Sequence, residues 1–370
     1  MGEGLGTRTA HCLATVRRIV LGPAVGALAV GALAVGGSLV GAAVVGGSAG
    51  ASPVSGPTVS ARSYTAFGDP RPVDIEGYSV SAMEPFIAPD GRTLLFNTSN
   101  VAPNIPSLQY ASLAGAGVFA YRGPILGANL AGYLSGTPTV DRQGDLFFVS
   151  TRKYAQTGST IYSGTFRAGR VRGLHLVPGI TAPSPGLVYF DVDVSLDGSR
   201  LYASLGRFAG GSGPVSAELV VYDRMGRGFV PDRQSARLLA AVNRAGTLTY
   251  AAAISADGRE LFFTQGDPDG GVPMIERAVR SNRGQPFGPG TPIGAITGFA
   301  EAPSISADGT TLYYHRLVGT TFEIERVTRA LVDERGRSRP DAVTRRPGRP
   351  GARDDGARSG PSRPAASAGR

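Results

Sequence analysis

Apolar and polar positions along the chain repeat as one unit. Five segments share a short apolar run, a polar turn, and a second run that opens on Leu and continues with aromatic or apolar residues. They are Pro85–Phe96 (PFIAPDGRTLLF), Pro138–Phe148 (PTVDRQGDLFF), Val192–Tyr202 (VDVSLDGSRLY), Ala252–Phe263 (AAISADGRELFF) and Pro303–Tyr314 (PSISADGTTLYY). The shared leucines, Leu94, Leu146, Leu201, Leu261 and Leu312, stand 51 to 60 residues apart. Each unit reads as a β-hairpin. Gly accepts the positive φ of a tight turn and Asp bonds its own local backbone, so Asp90-Gly91, Asp197-Gly198, Asp257-Gly258 and Asp308-Gly309 are structural turns. Repeat two has Asp141-Arg-Gln-Gly144 in that place, which predicts a hairpin shorter by one residue.

A hairpin apolar on both arms is buried on both faces. In a β-propeller the inner strands of each blade lie between neighbouring blades, and one blade takes about 40–50 residues. Third strands are expected at Leu108–Tyr110, Ile161–Tyr162, Leu219–Tyr222, Ile275–Val279 and Ile324–Val327. Repeats four and five share a string there, Ile275-Glu-Arg-Ala-Val-Arg280 against Ile324-Glu-Arg-Val-Thr-Arg329. An outer strand follows repeat four at Phe287–Ile293, but none follows repeat five. A matching segment, Phe67-Gly-Asp-Pro-Arg-Pro-Val73, lies upstream of repeat one. The expectation is an all-β, five-bladed β-propeller over 64–332, in which this N-terminal segment is the outer strand of the last blade.

The Ser-x-Asp-Gly-x-x-Leu-aromatic-aromatic units resemble the WD40-like (PD40) propeller repeat of TolB-like proteins, over roughly residues 64–329. The resemblance implies an exported protein-binding propeller. Propellers of that family usually have six blades, the alternative to five here.

Composition changes this picture only at the ends. The chain carries a formal net charge of +9. Ten arginines against five acidic residues lie in 333–370, and Arg8, Arg17 and Arg18 lie near the start. The body is nearly neutral, so a nucleic-acid partner is not expected for the folded part. Residues 333–370 have too few large apolar side chains to offset ordering entropy and read as a disordered basic tail. Residues 1–51 combine Arg17-Arg18, an uncharged apolar run and the small residues Ala49-Gly50-Ala51. They read as a signal peptide or N-terminal anchor, with 52–63 a linker. Cys12, the single cysteine, excludes an intramolecular disulfide. The expected location is secreted or cell envelope, with membrane contact only if the leader is retained, and the expected state is a monomer.

The function this reading favours is a non-enzymatic binding or scaffold propeller that recognises an envelope protein, peptide or glycan, without a cofactor. The alternative is a carbohydrate-active hydrolase, which needs two carboxyl groups facing each other across an open pocket. The carboxylates on or beside the first strands are Glu84, Asp191, Asp193 and Glu301, and the candidates for catalysis are Glu84, Asp191 and Glu301. Glu84 and Asp191 each stand six residues before their turn aspartate and should point alike from different blades. The competing structural reading has them bonding loop amides. Asp267 and Asp269 are weak metal candidates in a Pro-Asp-Gly loop. His175 and His315 belong to different repeats and read as strand residues. A funnel lined by Ala, Thr and Val would favour scaffolding, and converging acids and aromatics would favour a ligand site.

Overall fold

The structure is a computed structural model that describes residues 63–332, apart from 102, 210 and 211. The leader 1–51, all but the last residue of the linker, and the tail 333–370 lie outside the described residues. Among the described residues, no helix is long and apolar enough to cross a membrane.

The architecture is a β-propeller, because each sequence repeat forms its own four-stranded antiparallel unit. Repeat one orders Ala82–Ile87, Thr93–Thr98, Leu108–Gly115 and Val118–Pro124, with Asp74–Glu76 added outside in parallel. Repeat two orders Ser135–Val140, Asp145–Ser150, Ile161–Arg167 and Arg170–Leu176. Repeat three orders Leu187–Val194, Arg200–Ala209, Ser212–Met225 and Gly228–Pro231. Repeat four orders Leu248–Ile254, Glu260–Gly266, Met274–Val279 and Thr291–Pro292, and touches repeat three through one parallel pair, Ala217 with Leu248. Repeat five orders Ala300–Ile305, Thr311–Val318 and Thr321–Thr328, and its fourth strand is Gly68–Pro72. Gly68 faces Thr328, Arg71 faces Arg326 and Pro72 faces Glu325, and the Val73 N–H donates to the Ile324 carbonyl at 2.8 Å.

The Leu-led triplet explains how the sheets pack. Side chains alternate across a strand. Leu261 and Phe263 therefore join the repeat-three residues Tyr202, Leu219 and Val221, while Phe262 between them joins Ile305, Leu312 and Tyr314 of repeat five. Phe147 of repeat two packs on Val192 and Leu201, while its neighbours Leu146 and Phe148 pack on Leu95. Tyr313 and Ile324 of repeat five share a core with Ile87, Leu94 and Phe96 of repeat one. One triplet thus serves two interfaces, each fully buried side chain contributing about 1.5–3 kcal/mol.

The turns follow their sequence. Asp197 Oδ1 accepts the Ser195 hydroxyl at 2.7 Å and the Ser199 N–H at 3.0 Å, and Asp257 and Asp308 repeat this with Ser255 and Ser306. Asp90, with Ala88 in the serine's place, accepts the N–H groups of Arg92 and Thr93. Gly198 has φ +72, and a Cβ there would lie 2.5 Å from Asp141 Oδ2. In repeat two Val140 faces Leu146, a loop one residue shorter than that between Val194 and Leu201. Asp141 stands where the others have Ser or Ala and itself accepts the N–H groups of Gln143 and Asp145, both at 2.9 Å.

A second repeated device ties outer strands to turns. Arg224, Arg280 and Arg329 end their third strands and donate Nε to the turn carbonyls of Gly198, Gly258 and Gly309 at 2.6, 2.7 and 2.7 Å. Each guanidinium also covers a Phe from the outermost segment of its sheet: Phe229 at 5.0 Å, Phe287 at 4.1 Å and Phe67 at 4.5 Å. In repeat five that Phe comes from the opposite end of the chain.

Candidate functional site

Every innermost strand carries a β-bulge, at one level between Met83 and Phe86, Gly136 and Thr139, Tyr250 and Ala253, and Glu301 and Ser304, and one pair further from the turn in repeat three, between Tyr189 and Asp191. Four bulges contain a non-glycine residue of positive φ: Glu84, Thr137, Ala251 and Ala302. Such a backbone costs on the order of 1 kcal/mol or more and persists where its surroundings hold it. Here the preceding repeat holds it. The N–H of Thr137 donates to Asn97 Oδ1 at 3.0 Å, that of Ala251 to Ser204 Oγ at 3.0 Å, that of Ala302 to Thr264 Oγ1 at 3.0 Å, and that of Glu84 to His315 Nδ1 at 3.1 Å. Each acceptor stands three residues after its repeat's shared leucine. Repeat two has Val149 there, which cannot accept, and the bulge that follows has no left-handed residue among those described. Thr160 Oγ1 donates to the Tyr189 carbonyl instead.

The bulges turn Glu84, Thr137, Asp191, Ala251 and Ala302 toward one shared space. All five line both a wide cup and the narrow gap beneath it. The cup holds about 170 Å³, and its wall includes Tyr154, Tyr189, Phe190, Phe208, Tyr250 and Phe299. Glu301 and Asp267 also line it. Past the gap the lining becomes largely apolar, with Ile87, Val140, Val194, Ile254 and Ile305. Polarity is therefore concentrated at one end.

The candidate acids Glu84, Asp191 and Glu301 are thus brought together from repeats one, three and five. His315, fully buried, links two of them. Because its Nδ1 accepts the Glu84 N–H, that nitrogen has a free lone pair and the ring proton sits on Nε2. Nε2–H lies 3.3 Å from Glu301 Oε2, and the Tyr250 hydroxyl donates to Glu301 Oε1. Asn100 Nδ2 donates to Glu84 Oε1 at 3.3 Å. Burial pushes the Glu84 carboxyl up to about 8; the Asp191 and Glu301 charges add to this, and His315 and Asn100 oppose it. Burial also holds Asp191 well above the usual carboxylate range, reinforced by Asp193 and Glu301.

Asp193 does not line the cup but the gap beneath it and the space beyond. Its Oδ1 accepts the Thr139 hydroxyl at 2.7 Å and its Oδ2 the Ile254 N–H at 2.8 Å, so it fastens repeat three to repeats two and four. Burial lifts it to about 7 against those bonds. Asp269 donates its N–H to Asp267 Oδ1 at 2.8 Å within an exposed loop. Among the described residues, no group of three or more His, Cys, Asp or Glu is arranged to hold a metal ion. His175 sits exposed on an outer strand, its Nδ1 2.8 Å from the Gly173 carbonyl.

Tyr250, Asn100, Thr137 and the role of His315 are not legible in the sequence. Their signal is positional: Tyr250 precedes a bulge residue, and His315 follows the shared leucine by three. Only the bulge geometry gives those offsets meaning.

No family model matches the chain, and no curated protein sequence matches it. Among solved structures, TolB from Acinetobacter baumannii is similar at 14% identity and TM-score 0.39, covering 67% of this chain and 55% of that one, so this chain spans about half its length. A glycoside hydrolase is similar at 10% identity and TM-score 0.49, covering 77% of this chain and 95% of that one. The α-L-arabinofuranosidase from Podospora anserina is similar at 11% identity and TM-score 0.46, covering 72% and 96%. The fold rests on the strand pairing described above.

Proposed function

We propose that the chain is an exported, monomeric binding propeller of five blades, closed by the N-terminal strand, that holds a small ligand in its axial cup. The ligand is a glycan unit or a peptide end from the cell envelope or its surroundings. The observation that carries this reading is the meeting of Glu84, Asp191 and Glu301 on a cup walled by aromatic side chains. The four-stranded unit formed by each of the five repeats, the pairing of Gly68–Pro72 with Thr321–Thr328, and the bond from Glu84 to His315 support the blade count and the closure. The leader pattern supports export. Calorimetric titration of the propeller with short glycans and peptides tests it, with saturable binding expected and a loss of tenfold or more in Phe190→Ala. Absence of binding across both panels, with the propeller folded, sinks the reading.

One observation favours glycoside hydrolysis as a second reading. Glu84, whose carboxyl burial biases toward its protonated form, shares the cup with a second carboxyl residue, Glu301, and such hydrolysis uses two carboxyl groups. Release of p-nitrophenol from aryl glycosides by the wild type, abolished in both Glu84→Gln and Glu301→Gln, supports it; inertness of the wild type across the common sugars removes it.

A further inference from the structure

The cup has a one-sided chemistry. Four carboxyl residues, Glu84, Asp191, Glu301 and Asp267, line it, and among the described residues no Lys, Arg or His does. This holds in a chain whose formal charge is +9. Other buried acids have partners of their own: Glu260 is paired with Arg277 and Arg329, Glu276 with Arg244, and Asp193 accepts from the Thr139 hydroxyl and the Ile254 N–H. Asp191 has no side-chain partner. It is only 7% exposed, lines the cup, and its carboxyl meets the N–H of the adjoining Val192 and no side-chain donor. Two further polar atoms of the lining are buried without a partner, Thr137 Oγ1 and Asn100 Oδ1, and both can accept a hydrogen bond. Among the described residues, each of these unmet groups of the cup has acceptor capacity.

A ligand that draws on this acceptor capacity must bring donors, and beside three carboxyls it gains most by bringing positive charge. The aromatic wall suits the same guest, since ring faces attract organic cations. An inorganic ion would satisfy the floor and leave Phe190, Phe208 and Phe299 without a role. We propose that the axial cup binds an alkylammonium group, seated on Glu84, Asp191 and Glu301 and enclosed by Phe190 and Tyr250. The proposal rests on the reading of the cup as a ligand site and names the chemical class it takes. An amino sugar and a lysine side chain both supply that group.

Binding is coupled to protonation. The groups facing the floor carboxyls are Asp193 behind Asp191, His315 and Tyr250 on Glu301, and Asn100 on Glu84. Glu84 and Asp191 resist ionisation in the empty cup, and a cation between them reverses that, so seating it expels protons.

Two pairs of probes test the inference by calorimetry near pH 7 with the intact propeller. One pair is the glucosamine tetramer and its N-acetylated counterpart; the other is a lysine-containing tripeptide and its acetyl-lysine counterpart. The expected result is that a cationic member binds at least tenfold tighter than its acetylated partner, the pair that shows it naming the source. Buffers of different ionisation heat should report proton release for that member alone. Glu84→Gln should remove most of the preference, and because the wild-type proton release needs no variant, a misfolded variant leaves the test intact. Equal or tighter binding of the acetylated members overturns the cation assignment and leaves the ligand cup standing. No binding by any probe overturns the assignment, and the wider glycan and peptide panels then decide the cup itself.

Discussion

The backbone N–H of Glu84 donates to Nδ1 of His315 across 231 residues of chain, at 3.1 Å. That one bond joins the first innermost strand to the last repeat, supports a left-handed backbone at Glu84, and fixes the imidazole proton on the side of Glu301. Ring geometry and site chemistry meet in it.

Replacing His315 with Val should therefore cost about 1–3 kcal/mol, the penalty of leaving a buried N–H unmet. His315→Asn should recover much of it, since Asn97 performs the same task for Thr137. Urea denaturation of both variants checks this, and an Asn variant no better than Val would show that the imidazole matters for packing against Phe322 instead.

Stability should fall as pH rises. Glu84 and Asp193 have carboxyls raised to about 8 and about 7 in the folded chain. The native state keeps protons that the unfolded chain releases above the ordinary carboxyl range. Their contribution is complete below that range and is lost as pH climbs through those raised values. Thermal melts from about pH 5 to about pH 9 should show Tm falling by on the order of 3 °C or more, with a shallower fall in Glu84→Gln. A flat wild-type profile would contradict the account.

Asp193→Ala should destabilise by ~3 kcal/mol, because the Ile254 N–H and Thr139 hydroxyl lose their acceptor in the interior. Asp193→Asn keeps one acceptor oxygen and should cost about half as much. Equal costs for the two, measured by chemical denaturation, would argue against the bridge.

Arg329→Ala should cost roughly 3 kcal/mol or more, as it strips one partner from Glu260 and frees Phe67 from its guanidinium. Phe67→Ala should cost about 2 kcal/mol. The double variant should lose less than the sum of the two. Limited proteolysis gives a second readout, with cleavage near residue 67 expected to rise in either single variant.

The sequence by itself determined the all-β character, the five hairpins and the partner of Phe67–Val73. Those depend on local rules: Asp-Gly turns, period-two burial and a string shared by Ile275–Arg280 and Ile324–Arg329. It also placed Glu84 and Asp191 at equivalent positions. Only the tertiary structure decided that Glu301, one residue out of step, shares their cup, and that Asp193 faces the interior as a clasp. A bulge at every innermost strand is the cause. It adds a residue and breaks simple alternation, so the directions of Glu84 and Glu301 depend on bonds from the preceding repeat, in one case across 231 residues of chain, while the bulge before Asp191 is held by Thr160 instead.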